Sequence, residues 1–190
     1  MTDTTCSTLL GRAKLHDSLA WTQIVELYSP LVAQWCNRKG LDWHDAADVM
    51  QEVFRGVARN LSGYNSTATT GGFRAWLWGI TQNKLRDYFR SEKSRFPAEG
   101  GTDALTRLAA IDSNGADESE PTETHDMRSL TLRALAQIRN EFSDHSWRVF
   151  ERLVFDGLPT DVVARELSTS ATAVRQVRSR ILRRLRQHLE

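Results

Sequence analysis

Thiols are scarce in this 190-residue chain: Cys6 and Cys36 are its only cysteines, with no CxxC pair and no histidine pair nearby. That excludes a disulfide scaffold and a sulfur-bound zinc site, and leaves two free thiols. The five histidines (His16, His44, His125, His145 and His188) are scattered, and no glycine-rich phosphate loop occurs. Asp45, Asp48 and Glu52 share a helix face but have no convergent partner, so the chain reads as no enzyme, without metal or cofactor. No apolar run is long enough to cross a bilayer. The opening MTDTTCSTLLGRAKLH lacks an apolar core followed by a small-residue cleavage site. The expectation is a cytoplasmic protein with no membrane insertion.

Net charge is also nearly absent, at +1, which on its face speaks against a nucleic-acid partner. The distribution says otherwise. Between Phe96 and Asp126 eight acids (Glu99, Asp103, Asp112, Asp117, Glu118, Glu120, Glu123 and Asp126) face one base, Arg107. This segment carries −7, so the rest carries +8. Two basic parts are joined by an acidic strap, which DNA would repel. Apart from a short apolar patch (Ala104 to Ile111), the strap's Gly, Ser and Pro content reads as flexible linker.

What is present in quantity is helical periodicity. Phe73 to Lys93 (FRAWLWGITQNKLRDYFRSEK) puts Phe73, Trp76, Leu77, Trp78, Ile80, Leu85, Tyr88 and Phe89 on a very wide apolar arc. Such a helix is packed on two sides, in the middle of a domain. The remaining strip holds Gln82, Asn83, Arg86, Arg90 and Lys93, with no acid among them, and suits an anionic partner. The preceding loop, Ser62 to Gly72, is rich in Gly, Ser, Thr and Asn. Its Tyr64 and Asn65 are types that hold an unstacked base. Upstream, His44 to Leu61 turns Ala46, Val49, Met50, Val53, Val57 and Leu61 inward and leaves Asp48, Gln51, Glu52, Arg55 and Arg59 outside. Acids and arginines at such spacing ordinarily pair with each other in solvent. Ser18 to Lys39 is helical too, but Pro30 interrupts it, and two helical pieces are expected.

After the strap, Met127 to Phe142 aligns Thr131, Leu135, Ile138 and Phe142. A second helix, capped by Ser143 or Asp144, carries Trp147, Phe150, Val154 and Phe155 and stops at Gly157. Pro159 to Leu167 is a short third helix, turning Val163, Ala164 and Leu167 inward. Ser168 to Ser170 make a turn, and Ala171 to His188 forms the fourth. Two short helices joined by a three-residue turn, the second longer and more basic, make a helix-turn-helix pattern. Val174, Val177, Ile181, Leu185 and Leu189 keep a narrow stripe in the last helix, and Thr172, Arg175, Gln176 and Ser179 project together from its N-terminal half. Those side chains match base edges, and Arg180, Arg183, Arg184 and Arg186 extend the charge as phosphate contacts would. The fold expectation is all-α: two small helical bundles joined by an acidic flexible linker, with residues 1–95, 96–126 and 127–190 as N-terminal domain, linker and helix-turn-helix domain.

Taken together, DSLAWTQIVELYSPLV, DAADVMQEVFRGV, FRAWLWGITQNKLRDYFR and FDGLPTDVVARELSTSATAVRQVRSRILRRL resemble a bacterial RNA polymerase sigma factor of the extracytoplasmic-function group of the sigma-70 family. The resemblance leaves out the N-terminal tail and the strap. It implies that the first domain is similar to sigma region 2 and the last to region 4, with core RNA polymerase and promoter DNA as partners and an anti-sigma factor as a third that the family admits. By position, Asp48, Gln51, Glu52 and Arg55 would dock on the polymerase clamp. Tyr64, Asn65, Gln82, Asn83, Arg86 and Arg90 would hold the melted promoter strand, and Thr172, Arg175, Gln176, Ser179, Arg180 and Arg183 would read the more distant duplex element. Ser168 and Thr169 stand where the family usually shows Gly and an aliphatic residue. The alternative is a stand-alone helix-turn-helix transcriptional regulator.

Overall fold

Eight α-helices make up the residues that the computed structural model describes, which are 8–65, 72–95 and 124–189. Each start has a local cause. Thr8 caps α1 (Leu9–Lys14) by accepting from the Gly11 N–H at 3.0 Å. Asp17 caps α2 (Ser18–Arg38), accepting from Leu19 and Ala20, and Asp42 caps α3 (Trp43–Asn60), accepting from Asp45 at 2.9 Å. A side-chain oxygen in this position satisfies an amide that has no partner inside the helix. A 3-10 turn (Leu61–Gly63) follows α3, and α4 (Gly72–Arg95) runs back along it. The second half comprises α5 (Thr124–Ile138), α6 (Asp144–Val154), α7 (Thr160–Glu166) and α8 (Ala171–Leu189). Ser143 caps α6, and Gly157, at φ +67°, turns the chain after it.

As its apolar arc requires, α4 is packed on two sides. Trp78 meets Trp35 of α2 edge-on with ring centroids 5.1 Å apart, and Phe73 meets Tyr28 at 5.0 Å. Val49, Val53 and Val57 of α3 are buried beside it. The absence of a side chain at Gly56 permits this approach: a Cβ there would stand 3.1 Å from Ile80 Cγ2. Tyr88 ties the far end by donating its hydroxyl to Asp45.

Several expectations are corrected. α2 is one helix through Pro30, not two pieces. Pro30 removes the donor for the Glu26 carbonyl and loosens the preceding turn, yet Leu27, Tyr28, Leu31, Val32 and Trp35 are all buried around it, which holds the helix together. α5 begins at Thr124, so Asp126 belongs to a helix rather than to the strap; it is buried and pairs with Arg38 at 2.5 Å. In α6 the buried residues are Ser146, Trp147, Val149 and Phe150, whereas Val154 and Phe155 are exposed. In α5, Leu130 and Ala134 join Leu135 and Ile138 in the core. The strap residues 96–123 lie outside the described residues.

The two helical clusters touch. α5 and the C-terminal end of α8 pack on α1 and α2, and Leu130, Ala134, Ile138, Ile181 and Leu185 share a continuous apolar core with the N-terminal helices. A smaller core of Val149, Val163, Ala164 and Val174 joins α6, α7 and α8.

Candidate functional site

Three surfaces carry the residues singled out in the sequence. The first is the outer face of α3. Asp48, Gln51 and Arg55 are exposed and Glu52 is half-exposed, while Val49, Val53 and Val57 turn inward. Arg55 pairs with Glu52 and donates to Gln51 Oε1 at 3.4 Å, as helical spacing dictates. The face is therefore self-paired in the free chain, and a partner must compete for those bonds. On one flank Asp48 and Glu52 share a groove with Lys84, Asp87, Tyr88 and Ser91 of α4. On the other, Gln51 and Arg55 border an apolar groove of Trp21, Val25, Met50 and Phe54. Neither flank was legible in the sequence, because both depend on which helices lie beside α3.

The second surface is the polar strip of α4. Asn83 and Arg90 are exposed, and Gln82 and Arg86 are half-exposed. Arg86 donates to Asn83 Oδ1 at 3.2 Å. The strip is not free of acid: Asp87 lies 3.7 Å from both Arg90 and Lys84. The Lys93 side chain lies outside the described residues, as do residues 66–71 of the adjoining loop. Asn65 is exposed, but Tyr64 is corrected. Its ring is buried against Phe73 and Trp76 (centroids 5.6 and 5.0 Å), with Lys14 above it and bonded to its carbonyl. An aromatic ring at a loop entrance finds apolar neighbours before it finds a ligand, so Tyr64 supports the loop's base and offers no stacking face.

The third surface is α8. Val174, Ile181 and Leu185 are buried, and Thr172, Arg175, Gln176, Ser179, Arg180 and Arg183 are all exposed. Ser170 Oγ caps the helix by accepting from the Ala173 N–H at 3.1 Å. Arg180 leans on α6, donating to Ser146 Oγ at 3.2 Å and lying over the Phe142 ring. Arg184 is corrected: both its bonds go to Glu141, at 2.6 Å, so it is a structural residue rather than a phosphate contact. The turn before α8 places Ser168 at φ +50°.

Among the described residues, nothing in this geometry suggests bond chemistry. Burial pushes the Cys36 thiol up to about 12, far from a reactive thiolate. Among the described residues no three His, Cys, Asp or Glu side chains are grouped to hold a metal ion, and no helix is long and apolar enough to cross a membrane.

Comparison with known proteins points to one family. Residues 24–95, from the middle of α2 to the end of α4, match the sequence profile of Sigma-70 region 2. Across 92% of this chain and 89% of the relative, the sequence is 27% identical to the RNA polymerase sigma factor NccH of Alcaligenes xylosoxydans xylosoxydans. The chain is similar to sigma-70 family proteins, in region 2 by the profile and along most of its length by the likeness to NccH. Two further relatives carry the extracytoplasmic-function name: the ECF RNA polymerase sigma factor SigW of Bacillus subtilis, 28% identical over 56% of this chain and 57% of that one, and the ECF RNA polymerase sigma factor SigE of Mycolicibacterium smegmatis, 30% identical over 50% and 35%. The profile match holds α3 and the strip of α4 but stops before α5; the likeness to NccH, at 92% of the chain, reaches well beyond that point.

Proposed function

We propose that this chain directs core RNA polymerase to specific promoters and helps to open them, acting in the cytoplasm without bond chemistry of its own. Asp48, Gln51, Glu52 and Arg55 dock on polymerase. Asn65 with Gln82, Asn83, Arg86 and Arg90 holds an unpaired promoter strand, whose extrusion costs a few kcal/mol that the protein's contacts must offset. α7 and α8 act as a helix-turn-helix, in which Thr172, Arg175, Gln176 and Ser179 read base edges while Arg180 and Arg183 meet phosphates. An anti-sigma factor is a third partner, blocking one or more of these surfaces. One observation carries the reading: the base-reading side chains of α8 all face solvent on one side of a helix whose other side is buried.

The test is a gel shift on promoter duplex with and without core polymerase, with run-off transcription alongside. Binding and transcription that appear only with core support the proposal. Tight duplex binding by the chain alone, with no effect on core, favours a stand-alone regulator.

A further inference from the structure

A cavity of about 490 Å³ opens between the α1–α2 turn and the end of α3. Small-molecule sites occupy roughly 300–1,000 Å³. Its wall carries two kinds of group. Trp21 and Leu61 supply apolar surface, while Lys14, Arg59 and the hydroxyls of Ser18 and Ser62 supply polar reach. Trp21 is half-buried, and Phe54 pins its ring edge-on, with centroids 6.3 Å apart and planes at 85°. A ring held in this way is a platform for a second flat ring. The charge is one-sided. The one acid among the lining residues, Asp17, caps α2 and pairs with Arg12 at 2.7 Å, so its charge is already matched. Lys14 gives one ammonium hydrogen to the Tyr64 carbonyl and keeps two. Arg59 is exposed, and among the described residues it forms no ion pair.

We propose that this cavity binds a nucleoside phosphate: Arg59 and Lys14 hold the phosphate, Trp21 stacks on the base, and Ser18 and Ser62 meet the sugar hydroxyls. Cations without a carboxylate partner favour a phosphate, through charge-assisted hydrogen bonds. A fixed aromatic plane accepts any base, because every base has a π-face. Neither part would hold such a ligand firmly alone, but the two lie in one wall and act on one molecule. The site is separate from both DNA-facing surfaces, since neither α4 nor α8 lines it. Trp21 and Ala58 are shared with the apolar groove that borders Gln51 and Arg55, which puts the ligand on the flank of α3. Binding there does not require that the chain act on polymerase, and the free chain suffices to test it.

Calorimetric titration of the full chain with adenosine monophosphate, inorganic phosphate and adenosine, at low salt, tests the site. Adenosine monophosphate should bind at least roughly tenfold more tightly than either of its parts. Arg59→Glu should weaken that binding roughly tenfold or more, by setting a like charge against the phosphate. Arg128→Glu, at an exposed position of α5 outside the cavity, should leave it unchanged. Trp21→Leu should bring adenosine monophosphate down to the affinity of phosphate alone. Should that variant fail to fold, amide NMR shifts of the unsubstituted chain decide, where Lys14, Ser18 and Ser62 should move together as adenosine monophosphate is added. The site is overturned by an absence of binding at millimolar adenosine monophosphate, by equal affinity for adenosine monophosphate and phosphate, or by an Arg59→Glu variant that binds as the parent does. Shifts confined to α4 and α8 would place the nucleotide on the DNA-facing arginines and overturn it as well.

Discussion

Arg184 holds Glu141 with two bonds of 2.6 Å, while its neighbour Arg183 faces solvent one position earlier on α8. Adjacent arginines thus serve different ends. Arg183→Ala should weaken DNA binding evenly over sequences and lower the slope of log affinity against log salt by about one. Arg184→Ala should leave that slope unchanged and cost about 1 kcal/mol of stability, since its ion pair is only partly shielded from water. A salt titration of promoter binding by the polymerase-bound protein, paired with urea unfolding, separates the two. Equal slopes for both variants would mean that Arg184 leaves Glu141 for DNA.

Sequence choice is expected to sit one turn nearer the start of α8. Arg175 is exposed there beside Gln176 and Thr172. Arg175→Ala should cost about 1–3 kcal/mol at the preferred promoter and relax base preference at one position only. Selection of bound sequences from a randomised duplex pool checks this, and an unaltered preference would remove Arg175 from the reading face.

On α3, Asp48 lies in the open and makes no bond on which the helix depends. Asp48→Arg should leave the thermal unfolding curve in place and reduce polymerase association roughly a hundredfold, because like charges facing each other across an interface cost several kcal/mol. Co-purification with core subunits is the readout. Normal association would show that polymerase docks elsewhere.

Ser168 occupies the left-handed region at φ +50°, where a side chain is strained and glycine is not. Ser168→Gly should therefore stabilise the C-terminal half by about 0.5–1 kcal/mol, the relieved strain exceeding glycine's added chain entropy. Urea unfolding would show the midpoint rise, and a lower midpoint would mean that the Ser168 side chain makes a contact worth more than the strain.

These sites differ in how plainly the chain announces them. The faces of α3 and α8 were legible because capping residues and apolar spacing agree along each helix, and such agreement depends on neighbours within a turn or two. Pro30 misled because its local effect is to break a helix, while the burial of Leu31, Val32 and Trp35 that overrules it comes from other helices. Asp126 read as linker because its neighbours in sequence are acidic, whereas its partner, Arg38, lies 88 positions away. Tyr64 looked like a ligand contact because loop composition does not say which way a ring turns. Nor did any local pattern foretell that α5 would lie on α2.

His188 is buried beside α5, bonded to Gln137, and it supplies a pH dependence whose sign can be worked out. It is 3% exposed, and its pKa is lowered from 6.5 to about 4. Burial is the largest cause; the Arg184 and Arg12 cations push the same way, and Glu141 opposes them. The ring is therefore neutral in the fold, giving its Nε2 hydrogen to Gln137. Once unfolded it takes up a proton below about pH 6.5, so the unfolded chain binds more protons and stability falls as pH falls. The loss should begin near pH 6.5, approach about 3 kcal/mol, and level off below pH 4, where the folded ring is protonated too. His188→Gln keeps a hydrogen-bonding side chain without titrating, and should flatten urea midpoints measured between pH 7 and pH 4.5. If that variant loses stability with acid as steeply as the parent, carboxylates held low by an arginine, such as Asp144 beside Arg139, carry the dependence, and the proton balance at His188 is not what ties the end of α8 to α5.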